Sequence, residues 1–108
     1  MRKYPIYNNL LKDTIDKDLT ITQKRLMIKR ISKIDTSGHE LIYALIRMYQ
    51  YDNNQENTSF TLPYKGEYKD YDVCFDINNL PNRLKQILFK FVGIHIDKMK
   101  DNANIFRV

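Results

Sequence analysis

Between Asp70 and Ile77 the residue types alternate, with Asp70, Asp72, Cys74 and Asp76 on one parity and Tyr71, Val73, Phe75 and Ile77 on the other. An extended strand sends successive side chains to opposite faces, so this parity predicts carboxylates along one face and an apolar row along the other. At a rise of about 3.3 Å per residue, side chains on one face stand about 6.6 Å apart, which matches alternate Lys or Arg residues on an added strand. The chemistry is recognition rather than bond making: main-chain pairing at an exposed edge supplies affinity, and the carboxylates select basic side chains. The same acids also suit the wet face of a half-buried strand, where charge guards an edge against aggregation.

A second cluster lies earlier. Lys24, Arg25, Lys29, Arg30 and Lys33 occupy much of one helical surface and are the candidate nucleic-acid contacts, through phosphates. No nucleic-acid-binding motif accompanies them, and Asp16, Asp18 and Asp35 dilute the local field, so a solvated helix face fits them better. His39 and His95 have no third ligand at a suitable spacing, which argues against a metal. Cys74 has no recognisable base for a nucleophile, and Gly38, Gly66 and Gly93 form no phosphate-cradling loop. A chain without paired acid and base or a nucleophile motif is expected to be non-enzymatic, with no cofactor.

The elements that must position these residues follow from periodicity. Ile6, Leu10, Leu11, Ile15 and Leu19 predict a short amphipathic helix over residues 6–19. Thr20 and Gln23 read as a capping box opening a helix to about Ile34, with Met27, Ile28, Ile31 and Ile34 as its apolar stripe. Ser37 and Glu40 read as a second box, opening a helix with Leu41, Ile42, Leu45, Ile46, Met48 and Tyr49 on its apolar face. Asn53 to Asn57 predicts a solvated loop. Phe60, Leu62 and Tyr64 then predict a first strand, irregular because of Pro63, turning near Gly66 into the acidic strand. Leu84, Ile87, Leu88, Phe91 and Val92 predict a last helix, disturbed at Gly93 and reaching Met99, with a frayed tail from Asp101.

Several segments, in order, resemble the extra-terminal (NET) domain of the BET transcription regulators. Thr20-Ile21-Thr22-Gln23-Lys24-Arg25 is similar to that family's capped opening, and Ile31-Ser32-Lys33-Ile34 to the end of its first helix. His39-Glu40-Leu41 with Ala44-Leu45 resembles the start of its second helix. Val73 to Leu80 looks like its acidic strand, and Lys90-Phe91-Val92 stands at the spacing of its last motif. The resemblance implies a three-helix module whose strand captures short peptides alternating Lys with bulky apolar residues. It implies that Asp72, Cys74 and Asp76 face the partner's basic side chains, with Cys74 in place of one acid. Ile42 and Ile46, with Phe75 and Ile77, would line the apolar groove. Departures are a longer turn at Asp35 to His39, an Asn-rich insertion, an added first arm and an added amino-terminal helix.

Composition sets the outer limits. The chain has 108 residues, 43% hydrophobic and 29% charged, which suits one folded domain rather than a disordered tail. A net charge of +5 keeps acidic partners in view, and the heavy use of Asn, Ile and Lys suits an AT-rich source such as a large DNA virus. The single Cys74 excludes an internal disulfide and favours a reducing, intracellular setting, and the resemblance to a transcription-regulator domain implies the nucleus or a viral replication site. Met1-Arg2-Lys3 leads into polar Asn8-Asn9 rather than an apolar leader core, and no stretch approaches the roughly 18 apolar residues of a membrane span. The expected architecture is mainly α: a helical extension over residues 1–19, a NET-like three-helix module over 20–100 with a β-hairpin before the last helix, and a tail over 101–108. The expected protein is a peptide-binding interaction module, monomeric or a weak homodimer, with a nucleic-acid binder or a self-associating structural subunit as alternatives.

Overall fold

Leu84, Ile87, Leu88, Phe91 and Val92 are all buried in a computed structural model of the chain, which describes residues 5–12, 14–53 and 62–103. They lie on α4 (Asn82–Ala103), the longest helix among the described residues, against which the other helices pack. In chain order the elements are α1 (Pro5–Lys12), α2 (Ile21–Ile31), α3 (Thr36–Asn53), β1 (Glu67–Lys69), β2 (Asp72–Cys74), a 3₁₀ turn (Ile77–Asn79) and α4. The architecture is mainly helical with a two-stranded antiparallel hairpin before the last helix, as the periodicity predicts.

One core joins all four helices. Leu10 and Leu19 from the amino-terminal segment, Met27 from α2, and Leu45, Ile46 and Tyr49 from α3 close on the α4 stripe. Each fully buried Leu, Ile or Phe contributes about 1.5–3 kcal/mol over its exposed state, so α4 supplies the largest share of the burial. Gly93 does not disturb α4, which continues through it to Ala103; residues 104–108 lie outside the described chain.

α2 opens as its capping box predicts. Gln23 N–H donates to Thr20 Oγ1 at 3.1 Å, and Thr20 N–H donates back to Gln23 Oε1 at 2.9 Å. The helix ends sooner than expected, at Ile31, where Ser32 turns its hydroxyl to the Lys29 carbonyl. Ile28 is exposed rather than part of the buried stripe. The second box is corrected: α3 starts at Thr36, and its cap is Asp35, whose Oδ1 accepts from Gly38 N–H at 2.8 Å. Ser37 lies inside the first turn. Asp35 wins the cap because its carboxylate also accepts from His95 Nε2 at 2.9 Å, which ties the start of α3 to α4.

The amino-terminal helix is shorter than the predicted 6–19. After Lys12 the chain turns, with the Thr14 hydroxyl donating to the Leu10 carbonyl, and residues 14–20 run without regular structure. Ile15 is exposed, whereas Leu19 reaches the core.

The hairpin also differs from expectation. Its turn is Asp70-Tyr71, not Gly66, and its first strand is Glu67–Lys69 rather than Phe60 to Tyr64. Asp70 and Tyr71 have φ of 51° and 70°, the paired positive values of the two-residue turn that matches strand twist. Gly66 closes a separate turn, donating its N–H to the Pro63 carbonyl at 3.0 Å, with Tyr64 and Lys65 also at positive φ. Its missing side chain makes room for the Phe75 ring, which a Cβ there would strike. Phe60 and most of the Asn-rich loop lie outside the described residues.

Candidate functional site

The register of the hairpin pairs Lys69 with Asp72, Tyr68 with Val73, and Glu67 with Cys74. Directly opposed residues share a face, so Glu67, Lys69, Asp72 and Cys74 lie on one side and Tyr68 and Val73 on the other. All six strand residues are exposed, and Tyr71 at the turn is fully so. The hairpin therefore stands off the body, without the buried apolar face that the sequence parity suggested. It is held at its base, where Phe75 and Ile77 are half-buried against the core.

The acidic row is correspondingly broken up. Asp72 and Cys74 remain together on one strand face. Asp70 moves into the turn, and Asp76 leaves the strand to cap the 3₁₀ turn, accepting from Asn78 N–H at 2.9 Å. Lys69 sits across the ladder from Asp72 and offsets part of its charge. Of the expected groove residues, Ile42 is half-buried, and Ile46 at 1% exposure is core and presents nothing to a partner.

Ladder geometry determines what the edges offer. A two-residue turn is closed by a hydrogen-bonded pair, here Lys69 and Asp72, so the next pair is of the non-bonded kind. The backbone N–H and C=O of Tyr68 and of Val73 consequently point outward, one on each edge of the sheet. Among the described residues neither edge has a further strand beside it.

The basic cluster divides as well. Arg25, Lys29 and Lys33 are exposed on α2 or just after it. Arg30 holds its guanidinium 5.8 Å from the Phe89 ring centroid. Lys24 is engaged, donating to Asp18 Oδ2 at 3.0 Å and to Asn78 Oδ1 at 3.2 Å. Ile21, Leu26 and Ile28 are also exposed on α2, so its surface is a mixed apolar and basic one rather than a continuous cationic stripe.

One polar cluster has no counterpart in the sequence reading. Lys85 is 3% exposed, and its ammonium meets Asp18 Oδ1 at 2.6 Å. Asp18 thus bridges Lys85 of α4 and Lys24 of α2, and it also accepts from Leu19 N–H at 2.8 Å. The hydrogen bonds from Lys85 and then Lys24 hold its carboxyl down at about 2. The available signal was the width of the α4 apolar arc: Lys85 stands between Leu84 and Leu88, where a solvent-facing lysine does not fit. The second such contact is Asp35, kept below the usual carboxylate range first by the His95 hydrogen bond and then by Gly38 N–H.

Among the described residues no group of His, Cys, Asp and Glu is placed to hold a metal ion, and no helix is long and apolar enough to cross a membrane. Cys74 is a free, exposed thiol. Fold and site together define a small, mainly helical protein that presents an exposed hairpin ahead of its last helix. The chain belongs to the family of the uncharacterized protein 348R of Invertebrate iridescent virus 6. It is 32% identical to that protein over 71 residues, which cover 65% of this chain and 71% of the viral one. No protein-family model matches the chain, and no solved structure matches it.

Proposed function

We propose that this chain is a non-enzymatic interaction module that captures a short basic and apolar protein segment by strand addition to the outer edge of β2. The observation that carries the reading is the β2 edge, which has no further strand beside it among the described residues and where Val73 turns its backbone N–H and C=O outward beside the Asp72 carboxylate. A segment paired there would place its central residue opposite Val73, with the flanking residues opposite Asp72 and Cys74. A lysine facing Asp72 gains an ion pair, whereas the position facing Cys74 has no charge to select it. Asp70 at the turn and Asp76 below the strand add negative field without standing in the row. Phe75 and Ile77, both half-buried just after β2, are the apolar surface at the hairpin base available to the segment's bulky side chains, and Ile42 of α3 is the expected groove residue that is also half-buried.

The resemblance of residues 20–92 to NET domains supports a partner drawn from chromatin or transcription proteins. Because a short segment is ordered on binding, a dissociation constant of about 1 µM, near −8 kcal/mol, is expected at best. The test is an NMR titration of the labelled chain with a peptide alternating Lys with Ile or Leu, repeated on an Asp72→Lys variant. An Asp76→Asn change can be added, since Asn keeps the cap on the 3₁₀ turn. Shifts centred on residues 72–77 that vanish in the variant are the expected result. Silence at the hairpin with DNA instead shifting residues 25–33 would transfer the function to α2.

A further inference from the structure

The second edge of the hairpin has a different chemistry. β1 is Glu67-Tyr68-Lys69, an acid and a base flanking a tyrosine whose N–H and C=O point away from β2. That arrangement is self-complementary under a two-fold axis. If two copies of β1 lie antiparallel with the axis at Tyr68, the two Tyr68 residues exchange both backbone hydrogen bonds. Glu67 of each copy then stands opposite Lys69 of the other.

From this we infer that β1 is a homodimer edge, and that two chains join through it into a four-stranded sheet ordered β2, β1, β1, β2. Both faces of that sheet are consistent with it. On one face the residues across the four strands are Val73, Tyr68, Tyr68 and Val73, a continuous apolar row made from side chains that are exposed in the single chain. On the other face each row reads Asp72, Lys69, Glu67, Cys74, so that charges alternate in sign from strand to strand. Pairing through β2 instead would set Asp72 against Cys74 and gain no ion pair. No other register of β1 against itself matches its outward backbone groups and its charges together. The dimer leaves both β2 edges open, one at each end of the sheet, so two peptide segments would be held by one assembly.

Three-residue strands join weakly, so the equilibrium should be visible between about 10 µM and about 1 mM. Sedimentation velocity on the full chain across that range reads it directly, with a shift from monomer to dimer expected. Glu67→Lys turns both cross-copy pairs into like charges and should weaken association at least about tenfold. A second variant, Lys69→Glu with Asp72→Lys, does the same while keeping an opposite-charge pair within the hairpin. Each alone should associate at least about tenfold more weakly than the parent, and an equimolar mixture of the two should recover the parent's association. All three positions are exposed, so both variants should keep the helical circular dichroism of the parent.

A cross-link gives an independent reading. The two positions at the axis should have Cα atoms about 5.5 Å apart, inside the disulfide range. Tyr68→Cys with Cys74→Ser should therefore oxidise to a covalent dimer. A chain that remains monomeric throughout the range overturns the inference. So does a dimer that survives Glu67→Lys unchanged, or one that the mixture of variants does not restore.

Discussion

Gly38→Ala should destabilise this protein, against the usual gain from removing a helical glycine. A Cβ at position 38 would lie 2.9 Å from both His95 Cδ2 and His95 Nε2, and 3.0 Å from Ile34 Cδ1. The ring is not free to withdraw. Its Nε2 is bonded to Asp35 at 2.9 Å, and it packs on Phe91 with centroids 5.4 Å apart. Forcing extra bulk into such a contact costs roughly 1–3 kcal/mol. The lower unfolded-state entropy of Ala returns about 0.4–1 kcal/mol. The expected net loss is about 0.5–2 kcal/mol, and a chain of this size loses about 4–8 °C in Tm per kcal/mol. In a His95→Ala background the main obstacle is gone, and Gly38→Ala should become neutral or stabilising by up to about 1 kcal/mol. Urea unfolding of the four proteins closes the cycle, with a coupling of about 1–3 kcal/mol expected for groups in contact. An equal effect of Gly38→Ala in both backgrounds would refute the assignment of the His95 ring as the obstacle.

Other expectations follow from the caps, the Asp18 bridge and the turn. Asp18 titrates near 2 when folded against an ordinary 3.8, so its contribution is complete above about pH 4 and is lost as the pH falls towards 2. Asp18→Asn should therefore be less stable than the parent at pH 7, with the gap narrowing across that acid window; urea midpoints at a series of pH values measure it, and a gap independent of pH would refute it. Thr20→Ala removes the Oγ1 acceptor of the capping box, leaving only the backbone N–H that donates to Gln23, and should cost about 1 kcal/mol, read as a fall in Tm. Tyr71→Gly relieves a side chain held at φ 70°, which costs about 1–2 kcal/mol for a non-glycine residue. Because the hairpin is exposed, that change should sharpen nuclear Overhauser contacts between Tyr68 and Val73 while leaving the global Tm nearly unmoved.

The helices were the most legible part of the sequence. The α4 stripe declares itself because five large apolar residues recur at three- and four-residue steps, and burial enforces the pattern. Thr20 and Gln23 declare themselves because the capping box is local and both its hydrogen bonds form within four residues. Where an outcome depended on a distant partner, local pattern failed. Asp35 and Ser37 are both good cap residues two positions apart, and His95, sixty positions away, decides between them. The hairpin turn was misplaced because Gly66 carries the recognised turn signal, whereas Asp70-Tyr71 puts a bulky aromatic where Gly is usual. Parity held for Asp72 and Cys74 but assumed a strand from residue 70 to 77. Only residues 72–74 are extended in the ladder, so Asp70 and Asp76 have other duties. The resemblance assigned Ile46 to a groove, and apolar periodicity could not correct it, because periodicity separates buried from exposed faces and not the centre of a core from its rim.

The fastening of the amino-terminal segment has a consequence for how the chain is made. Leu11 and Lys17 offer their carbonyls to Arg83 and Gln86, which lie 72 and 69 residues further on, and Asp18 waits for Lys85 of the same helix. Closing loops of that length adds little to the equilibrium cost, since the entropy grows only with the logarithm of length. It does govern timing. A ribosome releases the segment carrying Leu10, Asp18 and Leu19 well before α4, so these leucines lack their core partners, and Asp18 lacks Lys85, until α4 has emerged. A segment made before α4 thus settles only after it.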